Sequence, residues 1–103
     1  MKRGALVWAL LDKRRPAVIV SPDSRNEAAK DVLLVPCSTS ARRMRWHVYL
    51  GRGEGGLPHE SMALCEQVGP LDKEFVGSEL GTLSEARMRE IERALLSALG
   101  IMP

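Results

Sequence analysis

The chain predicts a mainly β domain, a small antiparallel barrel or sheet closed by one C-terminal helix. Three observations carry that expectation. Short apolar runs, several β-branched, recur through the first two thirds of the sequence, and turn residues separate them. Only the C-terminal segment carries apolar side chains at helical spacing. A length of 103 residues with 45% apolar side chains suits a single domain, residues 1–103, with one modest core. Aromatic residues are only 4%, so Val, Leu, Ile, Ala and Met must fill that core.

Ala5–Leu11 reads as the first strand and carries Trp8. Asp12–Pro16 is a tight polar connection, in which Pro16 pushes Arg15 towards an extended backbone. Ala17–Val20 is β-branched and forms the second strand. Ser21–Asn26 brings turn chemistry, and Glu27–Lys30 suits a short helical turn. Asp31–Cys37 is the third strand, continuous enough at Val32–Val35 to be buried on both faces. Ser38–Arg43 is polar and loop-like. Trp46–Leu50 is a further strand, Gly51–Gly56 a long hairpin-type loop, and Ser61–Val68 another strand, stopped by Gly69 and Pro70. Ser84 or Thr82 then caps a helix with Glu85 in its first turn. Met88, Ile91, Leu95, Leu99 and Met102 form its core-facing stripe, and Gly100 ends it.

The net charge of +2 hides an asymmetry. Residues 1–52 hold eleven basic and four acidic side chains, and residues 53–103 hold four basic and nine acidic. A basic half attracts phosphates. Cys37 and Cys65 each sit in an apolar run, which predicts buried, reduced thiols rather than a disulfide framework. No apolar stretch approaches a membrane span and no signal-peptide core is evident, so a cytoplasmic location is expected.

The polar residues at the strand ends suggest chemistry on a phosphodiester. Arg15 supplies a fixed guanidinium that can fork onto two phosphate oxygens. Ser38, Thr39 and Ser40 supply hydroxyl donors, and Glu66-Gln67 a carboxylate beside an amide. Arg42, Arg43, Arg45 and Trp46 form a basic stretch with one aromatic, suited to phosphate contact and base stacking. His47, inside a strand, reads as structural, and His59, beside Pro58 in a loop, as solvated.

In order and spacing these segments resemble the MazF/PemK toxins of bacterial toxin–antitoxin systems. The resemblance runs through Arg3-Gly4, the Arg14–Ser21 run led by Arg15-Pro16, Val32–Ser38, Gly56-Leu57-Pro58, Ser61–Val68 and the helix from Leu83-Ser84 to Ala98-Leu99-Gly100. It implies an SH3-like small barrel of the type shared with CcdB. It also implies a homodimer that cuts single-stranded RNA without a metal or other cofactor, leaving 2′,3′-cyclic phosphate and 5′-hydroxyl ends. An antitoxin with an acidic, extended segment would inhibit it in the RNA groove. Carried onto this chain, the resemblance makes Arg15, Ser38 and Glu66 the catalytic candidates, and Ser38 replaces the family's threonine. Arg14, Thr39, Arg42, Arg43, Arg45, Trp46 and Gln67 are the RNA-binding candidates.

Two departures accompany the resemblance. The connection from Leu11 to Arg15 is shorter than in many members, and Gly69-Pro70 stands where an arginine is usual. A non-catalytic RNA-binding module on the same barrel is the alternative these departures favour. A gyrase poison of the CcdB type is a third reading, but this chain lacks that family's terminal tryptophan motif.

Overall fold

A tight hairpin starts the sheet. In the computed structural model, which describes residues 1–101, β1 (Ala5–Leu10) turns within three residues into β2 (Arg14–Ile19). Their register sets Trp8 opposite Pro16 and Ala9 opposite Arg15. Arg14–Pro16 are therefore strand residues rather than part of the connection, because β1 pairs with them directly. After β2 comes a short helix, α1 (Asp23–Ala28). It is fastened by a buried polar knot. The Ser21 hydroxyl donates to Asn26 Oδ1 and accepts from the Leu33 amide at 3.0 Å, and Asn26 Nδ2 donates to the Ser21 carbonyl at 3.0 Å. Satisfied in this way, two polar side chains can stay in the interior.

The central strand is β3 (Asp31–Ser38). It is followed by β4 (His47–Leu50) and β5 (Ser61–Leu64), which pair as a hairpin. A 3-10 turn, Cys65–Gln67, leads into β6 (Gly69–Asp72), and β7 (Val76–Thr82) precedes α2 (Glu85–Leu99). The ladder order is β4-β5-β3-β2-β1-β7, with β6 also on β3. Gly69 and Pro70 do not stop strand formation, as the sequence suggests. The chain bends at the 3-10 turn and then resumes pairing, Gly69 with Leu34 and Pro70 with Leu33. Trp46 lies in the turn before β4 rather than in the strand.

Hydrogen bonds do not close the sheet. The gap between its end strands is shut by the loop joining β4 to β5, packed on β7. Three glycines permit this contact. A Cβ on Gly81 would stand 2.6 Å from the Gly55 carbonyl oxygen, one on Gly56 would run into the Leu80 carbonyl, and one on Gly55 into Leu6. Gly55 and Gly56 also have positive φ, at +57° and +82°. Leu57, in the same loop, is buried in the core. Glu54 pins the loop to the helix, accepting from Arg87 Nε at 2.8 Å and from the Gly51 amide at 2.7 Å. The Arg87 hydrogen bond, above all, holds the Glu54 carboxyl below its ordinary range.

Ser84 caps α2, its hydroxyl accepting from the Arg87 amide at 3.2 Å, and Gly100 ends it at φ +70°. The helix lies over β4 and the 3-10 turn. It buries Met88, Ile91 and Ala94, with Leu95 partly covered. Leu99 is 64% exposed, so the buried stripe ends before it: the helix has by then run past the barrel edge. Met102, the last member expected in that stripe, lies outside the described residues. No helix among the described residues is long and apolar enough to cross a membrane.

Candidate nucleic-acid interface

Two prolines open the site. The amide of Val20 donates to the Leu33 carbonyl, so even-numbered residues of β2 turn their backbone groups towards β3. The paired run ends at Ala17 and Pro36. The next pair in register would be Pro16 and Cys37, and Pro16 has no N–H to give the Cys37 carbonyl. The strands separate there. On the other edge of β3 the same alternation turns the nitrogen of Pro36 towards the β5/β6 side. The ladder on that edge breaks at this point, with β6 pairing up to Leu34 and β5 starting at Cys37.

The splay leaves a cleft of about 230 Å³ lined by Trp8, Lys13, Arg14, Arg15, Pro16, Cys37, Ser38, Thr39, Ser40, Pro58, His59 and Ser61. Three fixed cations face it, and none of its lining residues is a carboxylate. Arg15 and Ser38 also line a neighbouring cleft of about 590 Å³, together with Gln67, Gly69 and Pro70. The pair therefore sits on the ridge between two depressions.

Arg15 is held firmly, yet one of its donors has no partner. Its Nη2 donates to Asp12 at 3.0 Å, and its side chain is only 18% exposed. Its Nε is buried with no hydrogen-bond partner among the described residues. A buried, unpaired N–H of a cation is costly unless an acceptor reaches it. Ser38 Oγ accepts from the Ser40 amide at 3.2 Å, which orients the hydroxyl, and the Ser40 hydroxyl lies 3.4 Å from it. Arg14 stacks over the Trp8 ring, 4.8 Å from its centroid.

The remaining candidates separate into groups. Thr39 joins Arg14, Arg15 and Ser38 in the first cleft, and Gln67 shares the second with Arg15 and Ser38. Arg43 and Arg45 line another groove, between β4 and α2, together with Met44, His47, Tyr49, Arg87 and Glu90. Arg43 stacks over Tyr49 there, at 5.9 Å. Arg42 is exposed on the segment between β3 and β4. Trp46 lines none of these depressions; the aromatic at the first cleft is Trp8. The Glu66 carboxylate faces His47, not Arg15.

Sequence reasoning passed over Trp8, Lys13 and His59 as site residues. Trp8 could have been found from the hairpin, since a three-residue turn fixes its place opposite Pro16. Nothing local signals His59, which reaches the cleft only because its loop folds back across the barrel.

Both cysteines are free and buried. Burial pushes the Cys37 thiol up to about 12, with Cys65 adding to the rise and Arg15 opposing it. Burial does the same for Cys65, also to about 12, with Glu66 adding to it. At pH 8 the native thiols should react with iodoacetamide at least about 100-fold more slowly than in the denatured chain, because the thiolate is the nucleophile. Mass spectrometry of timed samples checks this.

Known proteins share this sequence pattern and fold. The family model described as the PemK-like, MazF-like toxin of type II toxin–antitoxin systems matches residues 2–99. The probable endoribonuclease MazF5 of Mycobacterium tuberculosis is 30% identical over 95 residues, covering 90% of this chain and 87% of that protein. The endoribonuclease MazF of Staphylococcus epidermidis is 30% identical over 89 residues, covering 84% and 74%. Among solved structures, an endoribonuclease from a mycobacterial species superposes with a TM-score of 0.85 at 30% identity, over 100% of this chain and 93% of that one. A mycobacterial endoribonuclease in complex with its cognate antitoxin gives 0.87 at 29%, over 98% and 96%. With a family match spanning nearly its whole length and the expected small barrel capped by a helix, this chain belongs to the PemK-like, MazF-like toxins of type II toxin–antitoxin systems.

Proposed function

We propose that the protein is an endoribonuclease toxin that cuts single-stranded RNA by internal transesterification. The cleft that combines Lys13, Arg14 and Arg15 with four hydroxyl residues and no carboxylate carries this reading. A polyanion enters such a site readily, and a carboxylate substrate would use few of its donors.

In the reaction the ribose 2′-oxygen attacks the adjacent phosphorus, and the bond to the 5′-oxygen breaks. The products are a 2′,3′-cyclic phosphate and a 5′-hydroxyl. The 2′-hydroxyl proton leaves and a proton arrives at the 5′-oxygen, so the reaction consumes no water and needs no redox partner. Arg15 would bind the non-bridging oxygens, its unpaired Nε gaining the acceptor it lacks. The Ser38 hydroxyl would donate to the same phosphate as negative charge grows on the phosphorane. Thr39 and Arg14 would hold the neighbouring nucleotides. Among the lining residues His59 would be the candidate to carry a proton, its imidazole being a common general acid or base.

The arginine absent at Gly69 leaves the second cleft less cationic, and Arg43 and Arg45 would supply phosphate contacts beyond it. One mycobacterial relative is solved in complex with its cognate antitoxin, and an acidic, extended antitoxin segment would match the cationic first cleft. A homodimer would continue the clefts across its two-fold axis.

Purified protein incubated with a long unstructured RNA in EDTA tests the reading. The expected result is discrete cuts whose 5′ ends accept phosphate from a kinase directly and whose 3′ ends are cyclic. Binding without cutting, in protein of verified fold, would favour the non-catalytic module instead.

A further inference from the structure

His47 is held at both ring nitrogens. Its side chain is 7% exposed, Nδ1 lies 2.8 Å from the Arg42 carbonyl oxygen, and Nε2 lies 3.1 Å from the Glu66 carboxylate. The Arg42 carbonyl and the Glu66 carboxylate thus clamp the ring from its two sides. These contacts join two pieces of chain that are distant in sequence. Arg42 belongs to the segment 39–46 between β3 and β4, which carries Thr39 and Ser40 at one end and Arg43 and Arg45 at the other. Glu66 belongs to the 3-10 turn whose next residue, Gln67, shares the second cleft with Arg15.

Among the described residues, the bond from His47 is the only hydrogen bond made by residues 41–43. The flanks are better anchored: the His47 amide donates to the Met44 carbonyl at 2.9 Å, and the Cys65 amide to the Trp46 carbonyl at 3.2 Å. Apart from the stacking of Arg43 on Tyr49, the middle of the segment therefore depends on the histidine.

We propose that His47 and Glu66 form a strut that positions the 39–46 segment for RNA binding. It fixes the basic rim against the Gln67 turn before RNA arrives, so the ordering cost is met in the free protein. The proposal rests on the cleft being an RNA site. It makes Glu66 a positioning residue, with its carboxylate committed to His47 rather than to the 2′-hydroxyl.

Two readouts test it. The first is limited proteolysis, because trypsin cuts after Arg42, Arg43 and Arg45 and senses whether the segment is held. Glu66→Ala and His47→Ala should each speed those cuts about tenfold, and Glu66→Gln, which keeps an acceptor, should restore most of the protection. The second is steady-state cleavage of a long RNA. Both alanine variants should raise KM about tenfold with kcat within about threefold, and the double variant should be no worse than either single one, as for two ends of one strut. Glu66 lies at the surface, so its variants keep the test alive if His47→Ala fails to fold. Unchanged trypsin cutting overturns the strut. Faster trypsin cutting with an unchanged KM overturns its role in binding. A loss of kcat in Glu66→Gln at unchanged KM makes Glu66 a base instead. Absence of cleavage by the wild type defeats the ribonuclease reading, and proteolysis still judges the strut.

Discussion

Replacing Arg15 with alanine is expected to lower kcat on RNA by about 10²–10³-fold, the usual consequence of losing one donor to a developing oxyanion. The substitution should leave the fold intact. Arg15 lies at the beginning of β2, where only β1 pairs with it, and its ion pair with Asp12 spans a surface turn. Such a pair adds little to stability. Removing the side chain also removes the unpaired Nε, so the variant may be compared with Arg15→Lys, which keeps the charge but not the fork. Lysine should recover part of the RNA affinity and little of kcat. Single-turnover cleavage of one radiolabelled RNA separates the two quantities. Equal rates for wild type and Arg15→Ala would remove Arg15 from the chemistry and with it the proposed mechanism.

The largest effect on stability is expected at Gly56. Its backbone sits at φ +82°, and a methyl group there would run into the Leu80 carbonyl. Gly53 is the control, with φ +90° and open space around the position where a Cβ would stand. Both substitutions to alanine bear the same left-handed strain, about 1 kcal/mol. Only Gly56→Ala must also push the loop off β7, which adds overpacking of about 1–3 kcal/mol. Urea unfolding followed by tryptophan fluorescence should therefore place Gly56→Ala about 3 kcal/mol below wild type, and Gly53→Ala about 1 kcal/mol below it. Equal losses would mean that the loop does not brace the barrel.

How much of this was legible in the sequence varied by element. The first three strands announced themselves because their interior residues are β-branched or continuous in apolarity. The helix did so through Met88 and Ile91, together with the Ser84 cap. The segment from Gly69 to Thr82 did not. In β6 a glycine and a proline sit on an edge, where the missing N–H costs nothing. In β7, Val76-Gly77-Ser78-Glu79-Leu80-Gly81-Thr82 lacks alternation, since much of the strand faces outward and its register against β1 shifts twice. It is a strand because β1 offers it partners, a fact about a residue some seventy positions away.

The site divides in the same manner. Arg15 and Ser38 could be named from local sequence because each lies next to a proline-marked strand irregularity. The resemblance put Glu66 among the catalytic candidates beside Gln67, but the two side chains part in the 3-10 turn: Gln67 lines the second cleft and Glu66 bonds His47. Trp46 drew attention through the arginines around it, and Trp8 was overlooked inside an apolar strand. Deciding between them required the register of the hairpin.

One loop has two masters. Its first half, through Gly55 and Gly56, shuts the barrel, and three residues later Pro58 and His59 stand at the mouth of the cleft. Changes at the first half are paid in folding, whereas Pro58, His59 and Glu60 are exposed and carry no part of the core. On the proposed RNA reading, descendants of this chain can thus drift in what the cleft mouth contacts by altering Pro58, while the glycines behind it keep the molecule from coming apart. Divergence in target and constancy of architecture are consistent here because they are written in adjacent halves of the same ten residues.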